Sequence, residues 1–178
     1  MKGIIFTEFL ELVEEKFGLT MVDQIINQSE LESGGAYTSI GTYDFSEMLQ
    51  LLTNLSQNTS IPADDLLMVF SEHLFAGLTK SHPDLVKHYK DPMDLLASIE
   101  GHIHVEVQKI YPDAQLPTFE IVDKSDNRLE MIYKSDKGLY MLGKGLMQQT
   151  FKVFGQEAEI TCEKLKEDGT EVKFIVIR

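Results

Sequence analysis

The hydrophobic period of this chain turns from mainly helical to mainly strand-like at Pro112, and that change limits the fold more than any single residue does. Upstream, apolar residues return every three or four positions, the spacing that lines one face of a helix. Ile4, Phe9, Leu12, Val13 and Phe17 make the first such stripe, with Gly18 placed to close it. A shorter helix is expected over "MVDQIINQ", then a loop, "SELESGGAYTSIGTY", whose Gly-Gly pair and serines oppose regular structure. Asp44 or Ser46 starts "FSEMLQLLTNLSQN", and Ser60 with Pro62 starts "ADDLLMVFSEHLFAGL". The latter is apolar nearly all round, so it is expected to lie deep. Asp91 and Pro92 open a further helix that runs on to Tyr111.

Downstream, "TFEIV", "RLEMIYKS", "EAEITCEKL" and "EVKFIVIR" alternate and are rich in β-branched residues, with "KSDN" and "EDGT" as turns. One helix, "LYMLGKGLMQQTFKVFG", interrupts these strands. Helices followed by strands define an α+β fold, a mainly helical N-terminal part with an antiparallel sheet at the C-terminal end. At 178 residues the chain is expected to form one domain that buries roughly 70% of its unfolded surface.

Charge narrows the partners. Sixteen basic residues against 29 acidic ones leave a formal charge of −13, a field that repels nucleic acid and anionic lipid. Cys162 is the only cysteine, which rules out an internal disulfide and fits the cytoplasm. The acidic residues inside "MKGIIFTEFLELVEEKFG" oppose both a secretory leader and a membrane span.

Few residues carry recognisable chemistry. No phosphate loop, nucleophile elbow, zincin helix, EF-hand or dinucleotide fingerprint is present, so catalysis has little support. His102 and His104 alternate with Ile103 and Val105, a strand pattern in which both imidazoles could clamp one metal of a hydrolase. A longer helical pattern, Leu96, Ile99, Ile103, Val107 and Ile110, overrides it, and on a helix the two histidines diverge by about 200°. A single imidazole then remains, which suits the axial position of a heme iron because the porphyrin supplies the other four nitrogens. Periodicity leaves open which histidine that is. Gly101, inside this helix, implies tight packing or the close approach of a ligand. In "RLEMIYKSDKG", Tyr133, Ser135 and Lys137 share a strand face with Leu129 and Met131, and such a polar tip either emerges into water or meets an anion.

Together, the opening "MKGIIF", the histidine helix, Pro117 and the Tyr-x-Ser-x-Lys run resemble the heme nitric oxide/oxygen-binding domains, H-NOX, related to the heme domain of soluble guanylate cyclase. The resemblance runs end to end. It implies a helical subdomain over 1–60 and a heme-binding αβ subdomain over 61–178. Counting back from Pro117 at the family's spacing gives His104 as the proximal ligand of heme b. Tyr133, Ser135 and Lys137 are then the propionate contacts. The family carries Arg where Lys137 stands, so a looser grip is expected, because an ammonium lacks the planar fork of a guanidinium.

On the gas side, oxygen-binding relatives place a tyrosine seven residues after the motif serine, and here that position is Leu142. Tyr140 lies two residues earlier, about 200° round the helix. Phe9 and Leu74 are apolar where oxygen-binding relatives carry an indole and an amide, and Ile5 and Leu78 extend the same apolar set. The resemblance therefore implies a non-enzymatic sensor that binds nitric oxide, with carbon monoxide as a second ligand, and excludes oxygen. It also implies that nitric oxide releases His104 from the iron, and that Pro117 distorts the porphyrin. The implied partner is a histidine kinase or a cyclic-di-GMP synthase or phosphodiesterase. An oxygen-binding or heme-free interaction module and a hydrolase on His102 and His104 are the competing readings.

Overall fold

A computed structural model describes residues 1–178. Helices α1 (Gly3–Phe17), α2 (Leu19–Asn27), α3 (Phe45–Thr59) and α4 (Ala63–Ser81) come first. Short α5 (Asp84–Lys87) and α6 (Pro92–Ala97), a π-helical turn (Ile99–Ile103) and α7 (His104–Ile110) follow. Strands β1 (Thr118–Lys124) and β2 (Arg128–Lys134), helix α8 (Tyr140–Val153), and strands β3 (Glu159–Lys164) and β4 (Glu171–Ile177) complete the chain. The α+β class and the position of every strand agree with the hydrophobic period.

The chain forms two compact units, Met1–Gly77 and Leu78–Arg178. In the first, Gly18 ends α1 at φ 85°, a conformation that suits a residue without Cβ. Asp44 caps α3 by accepting from the Ser46 N–H at 2.7 Å. Phe9 packs edge-on against Phe70 at 5.4 Å, and Phe6 stacks on Tyr37 at 4.4 Å.

Two expectations about this unit need correction. Ser60 does not begin α4. It takes a left-handed conformation at φ 57° and ends α3, while the Pro62 carbonyl accepts the first N–H groups of α4, from Asp65 and Leu66. Nor is α4 buried all round, since Leu66, Leu67, Phe70 and Leu74 are buried but Asp64, Asp65, Val69 and Glu72 face solvent.

Glu47 is a buried carboxylate, only 3% exposed, that ties the 28–44 loop to α3. It accepts from Ser33 Oγ at 2.5 Å, Tyr37 Oη at 2.6 Å and the Ser33 N–H at 3.2 Å. Burial pushes its pKa up, but these hydrogen bonds outweigh burial and hold it below the usual carboxylate value. Because the folded pKa is depressed, Glu47 contributes its full stability above its unfolded pKa of about 4.3 and loses it as pH falls through the folded value. Glu47→Gln is expected to cost about 2 kcal/mol in urea unfolding at pH 7, and the gap to the unmodified chain should close in acid.

In the second unit the four strands form one antiparallel sheet in the order β1-β2-β4-β3. Leu129, Met131 and Tyr133 of β2 and Val172, Phe174 and Val176 of β4 alternate onto one buried face. Met147 and Phe151 of α8 and Met93, Leu95 and Leu96 of α6 join that core. Asp91 caps α6 by accepting from the Met93 N–H at 2.8 Å, with Pro92 in the first turn.

The long helix expected from Asp91 to Tyr111 is broken. After Ala97 the chain widens into the π turn, where the Ser98 carbonyl accepts from both the His102 and the Ile103 N–H. Of the two readings of Gly101, tight packing is absent, because a Cβ there would meet no protein atom within 4 Å, and the close approach of a ligand remains the other.

Candidate functional site

The π turn sets the geometry of the two histidines. His104 is the first residue of α7, and its N–H reaches back to the Ile99 carbonyl. Its Nδ1 lies 3.0 Å from Glu100 Oε1, and that same oxygen accepts from the Phe119 N–H at 2.9 Å. One carboxylate thus anchors the imidazole to the start of β1. The Phe119 ring stands 5.9 Å from the imidazole. Burial pushes the His104 pKa down and outweighs the opposing pull of Glu100, so the ring stays neutral, the form that binds a metal. With Nδ1 occupied, Nε2 is the nitrogen left for a ligand.

His102 has different company. Its Nδ1 is 2.6 Å from the Tyr89 hydroxyl, which lies 2.5 Å from Ser98 Oγ, and Ser98 Oγ donates to the Leu95 carbonyl at 2.7 Å. It lines an open surface cavity of about 420 Å³ with His82, His88, Asp84 and Glu106. The two imidazoles share no partner, so the hydrolase reading has no geometric support.

Tyr133, Ser135 and Lys137 are brought together, though not by strand alternation alone. β2 stops at Lys134, so Ser135 and Lys137 belong to the turn that follows, which corrects the expected run of three on one strand. Tyr133 is 2% exposed, with its ring 5.6 Å from Phe119 and 6.1 Å from Phe174. Burial raises its pKa, against hydrogen bonds with the Ser135 side chain and the Leu139 backbone, so the phenol stays protonated and can donate. Ser135 Oγ accepts from the Lys137 N–H at 3.2 Å, and the Ser135 N–H donates to the Thr170 carbonyl at 2.9 Å. The Lys137 side chain is only 10% exposed, and its ammonium sits 3.0 Å from Asp136 Oδ1 and 3.4 Å from Gln115 Oε1. Lys137 therefore folds inward beside the segment that carries Pro117, the residue just before β1.

Leu142 is 9% exposed on α8. Tyr140 faces another way: its ring packs at Gly169, and Lys164 Nζ stands 5.3 Å from the ring centre. In the first unit Phe9 and Leu74 are buried, and Ile5 is half-buried, as is Leu78 at the start of the second. Glu100 is the residue of the candidate site that the sequence reading missed. Its signal was present as an acid four residues before His104 on one helix face.

His104 thus offers a neutral imidazole with Nδ1 on Glu100 and Nε2 left over, and the Phe119 ring packs against both this imidazole and Tyr133. The Haem-NO-binding family model matches residues 2–162, and the chain belongs to that family of heme gas-sensor domains. An H-NOX protein from K. algicida in the unliganded Fe(II) state is 64% identical over 99% of this chain and 96% of that one, with a TM-score of 0.97. An H-NOX from Shewanella woodyi, bound to IWP-051 in the Fe(II)CO state, is 36% identical over 100% and 94%, with a TM-score of 0.84. One from S. oneidensis in the Fe(II)NO state is 26% identical over 99% and 98%, with a TM-score of 0.88. No curated protein matches the chain. Heme is the cofactor of the family. No helix is long and apolar enough to cross a membrane.

Proposed function

We propose that the chain is a nitric oxide sensor that holds ferrous heme through His104, discriminates against oxygen, and reports to a separate regulatory protein in the cytoplasm. The observation that carries this reading is the Glu100 contact to His104 Nδ1, which leaves Nε2 as the ligating atom. Heme, when bound, supplies an iron with one position for His104 and one for the gas. Tyr133 and Ser135 would donate hydroxyl hydrogen bonds to its propionates, and Lys137 would add an ammonium on leaving Asp136 and Gln115. Pro117 would pack against the porphyrin, and the 61–178 segment would carry the heme-binding part. Ile5, Phe9, Leu74, Leu78 and Leu142 offer no side-chain donor, which favours nitric oxide over oxygen, because bound oxygen gathers negative charge and depends on a donor.

Relatives characterised in the Fe(II)NO and Fe(II)CO states support these gases as ligands. His104 is the residue whose release would free α7 to move, and the partner that would read this movement is a histidine kinase or a cyclic-di-GMP synthase or phosphodiesterase. The chain itself is not an enzyme. An optical spectrum tests the whole reading: protein expressed with ample heme should show a Soret band, and its absence would leave a heme-free interaction module.

Glu100 acts on the iron through His104. Glu100→Gln keeps an acceptor for the Phe119 N–H but removes the charge facing Nδ1. The iron–histidine stretch in the ferrous Raman spectrum should therefore move to lower frequency, with heme content unchanged. An unmoved stretch would show that Glu100 serves only to pin β1.

A further inference from the structure

A second set of metal-ligating side chains lies within the first unit, on the solvent side of α1 and α4. His73 of α4 faces α1, with Nε2 3.3 Å from Glu8 Oε2 and Nδ1 3.6 Å from Glu15 Oε2. Glu11 stands one turn from Glu8 on the same face. Glu8, Glu11 and His73 each place a ligand atom so that all lie within 4.8 Å of one another. Zinc at about 2.0–2.2 Å from nitrogen and oxygen donors sets neighbouring donors about 3.4 Å apart, a contraction that flexible glutamates allow.

Three features favour a cation over a simple ion pair. Three carboxylates meet one imidazole, and the only lysine that joins them, Lys16, contacts Glu15 at 3.2 Å rather than Glu8 or Glu11. Glu8 lies against Gly77, where a Cβ would come within 2.7 Å of Oε2, so a side chain at 77 would displace the carboxylate. Finally, Glu15 Oε2 stands 3.6 Å from Nδ1, beyond hydrogen-bond length but on the side of the ring where a carboxylate fixes the imidazole of a bound metal.

We propose that Glu8, Glu11 and His73 bind a divalent transition metal, best matched by zinc, with His73 Nε2 and one oxygen from each glutamate as ligands and water completing the shell. Glu15 is a positioning residue that holds Nδ1. The mixed nitrogen and oxygen donors suit zinc better than calcium or magnesium, which prefer oxygen alone. Bound there, the ion cross-links α1 to α4.

The test uses the full chain with its heme, freed of any affinity tag, stripped with chelator and titrated with zinc chloride by calorimetry. One zinc per chain is expected, with a rise in thermal midpoint. His73→Ala, His73→Gln and the Glu8→Gln/Glu11→Gln double variant should each weaken binding by about tenfold or more, and Glu15→Gln by about tenfold. All should retain their far-ultraviolet circular dichroism. His82→Gln/His88→Gln should bind as the unmodified chain does. Absence of stoichiometric zinc, binding that survives both His73 variants, or binding lost only with His82 and His88 would overturn the proposal. None of these readouts depends on the heme, so this proposal and the gas-sensor reading can fail separately.

Discussion

His104→Gly protein, expressed with ample heme, should emerge with about a tenth or less of the heme held by the unmodified chain, whereas His102→Gly should keep its full complement. The two substitutions are close in sequence and remove the same group, so the contrast isolates position. On the proposed reading, His104→Gly removes the one side chain that would ligate the iron. His102 loses a hydrogen bond to Tyr89, and the Tyr89–Ser98 contact that remains keeps the preceding segment tied down. Imidazole added to the buffer should restore heme to His104→Gly, since glycine leaves room for the missing ring. Measured as the ratio of Soret to protein absorbance, the reverse pattern would transfer the ligand role to His102.

The second large effect concerns oxygen. Ferrous unmodified protein exposed to air should give no lasting spectrum of an oxygen-ligated form, while nitric oxide should bind it tightly. Leu142→Tyr places a phenol on α8 at the position where oxygen-binding relatives carry one. Oxygen affinity should then rise by about tenfold or more, the worth of one donor aimed at developing charge in a dry site. Leu142 is nearly buried, and the larger ring must be accommodated, so thermal unfolding of the variant separates a folding defect from a failed prediction. A stable oxygen complex in the unmodified chain would sink the argument from missing donors.

The hydrophobic period made most of the fold legible, because the strands after Pro112 alternate cleanly and the early helices carry ordinary caps at Gly18, Asp44 and Asp91. It failed where local pattern and longer-range contacts conflict. Nothing in "LASIEGHIHVEV" distinguishes an α turn from a π turn, since one added residue per turn barely alters the apolar spacing over so short a stretch. Ser60 looked like a helix start because serine caps helices, yet the tight α3–α4 junction uses it in a left-handed conformation. On α4 the near-continuous apolar run concealed Val69, which points to water.

The candidate site was legible only in part. The resemblance nominated His104, Tyr133 and Ser135, whereas alternation by itself could not choose between two histidines or name an anion for the polar tip. Lys137 lies off the strand but turns inward, an outcome set by the turn after β2 rather than by strand period. Glu100 went unnoticed because its role depends on the Phe119 N–H, nineteen residues away in sequence.

The turn at Ile99–Ile103 has a mechanical consequence. Its Ser98 carbonyl already holds two successive N–H groups, at 2.8 Å from His102 and 3.3 Å from Ile103, so two helical windings share one acceptor. A chain segment of this kind carries one residue of slack. Taking it up would exchange the two wide bonds, Ile103 to Ser98 and His104 to Ile99, for ordinary α-helical ones, and one residue of an α-helix corresponds to a rotation of about 100°. His104 is the first residue beyond, which makes that slack a ready pivot for the histidine once nothing holds its outer nitrogen.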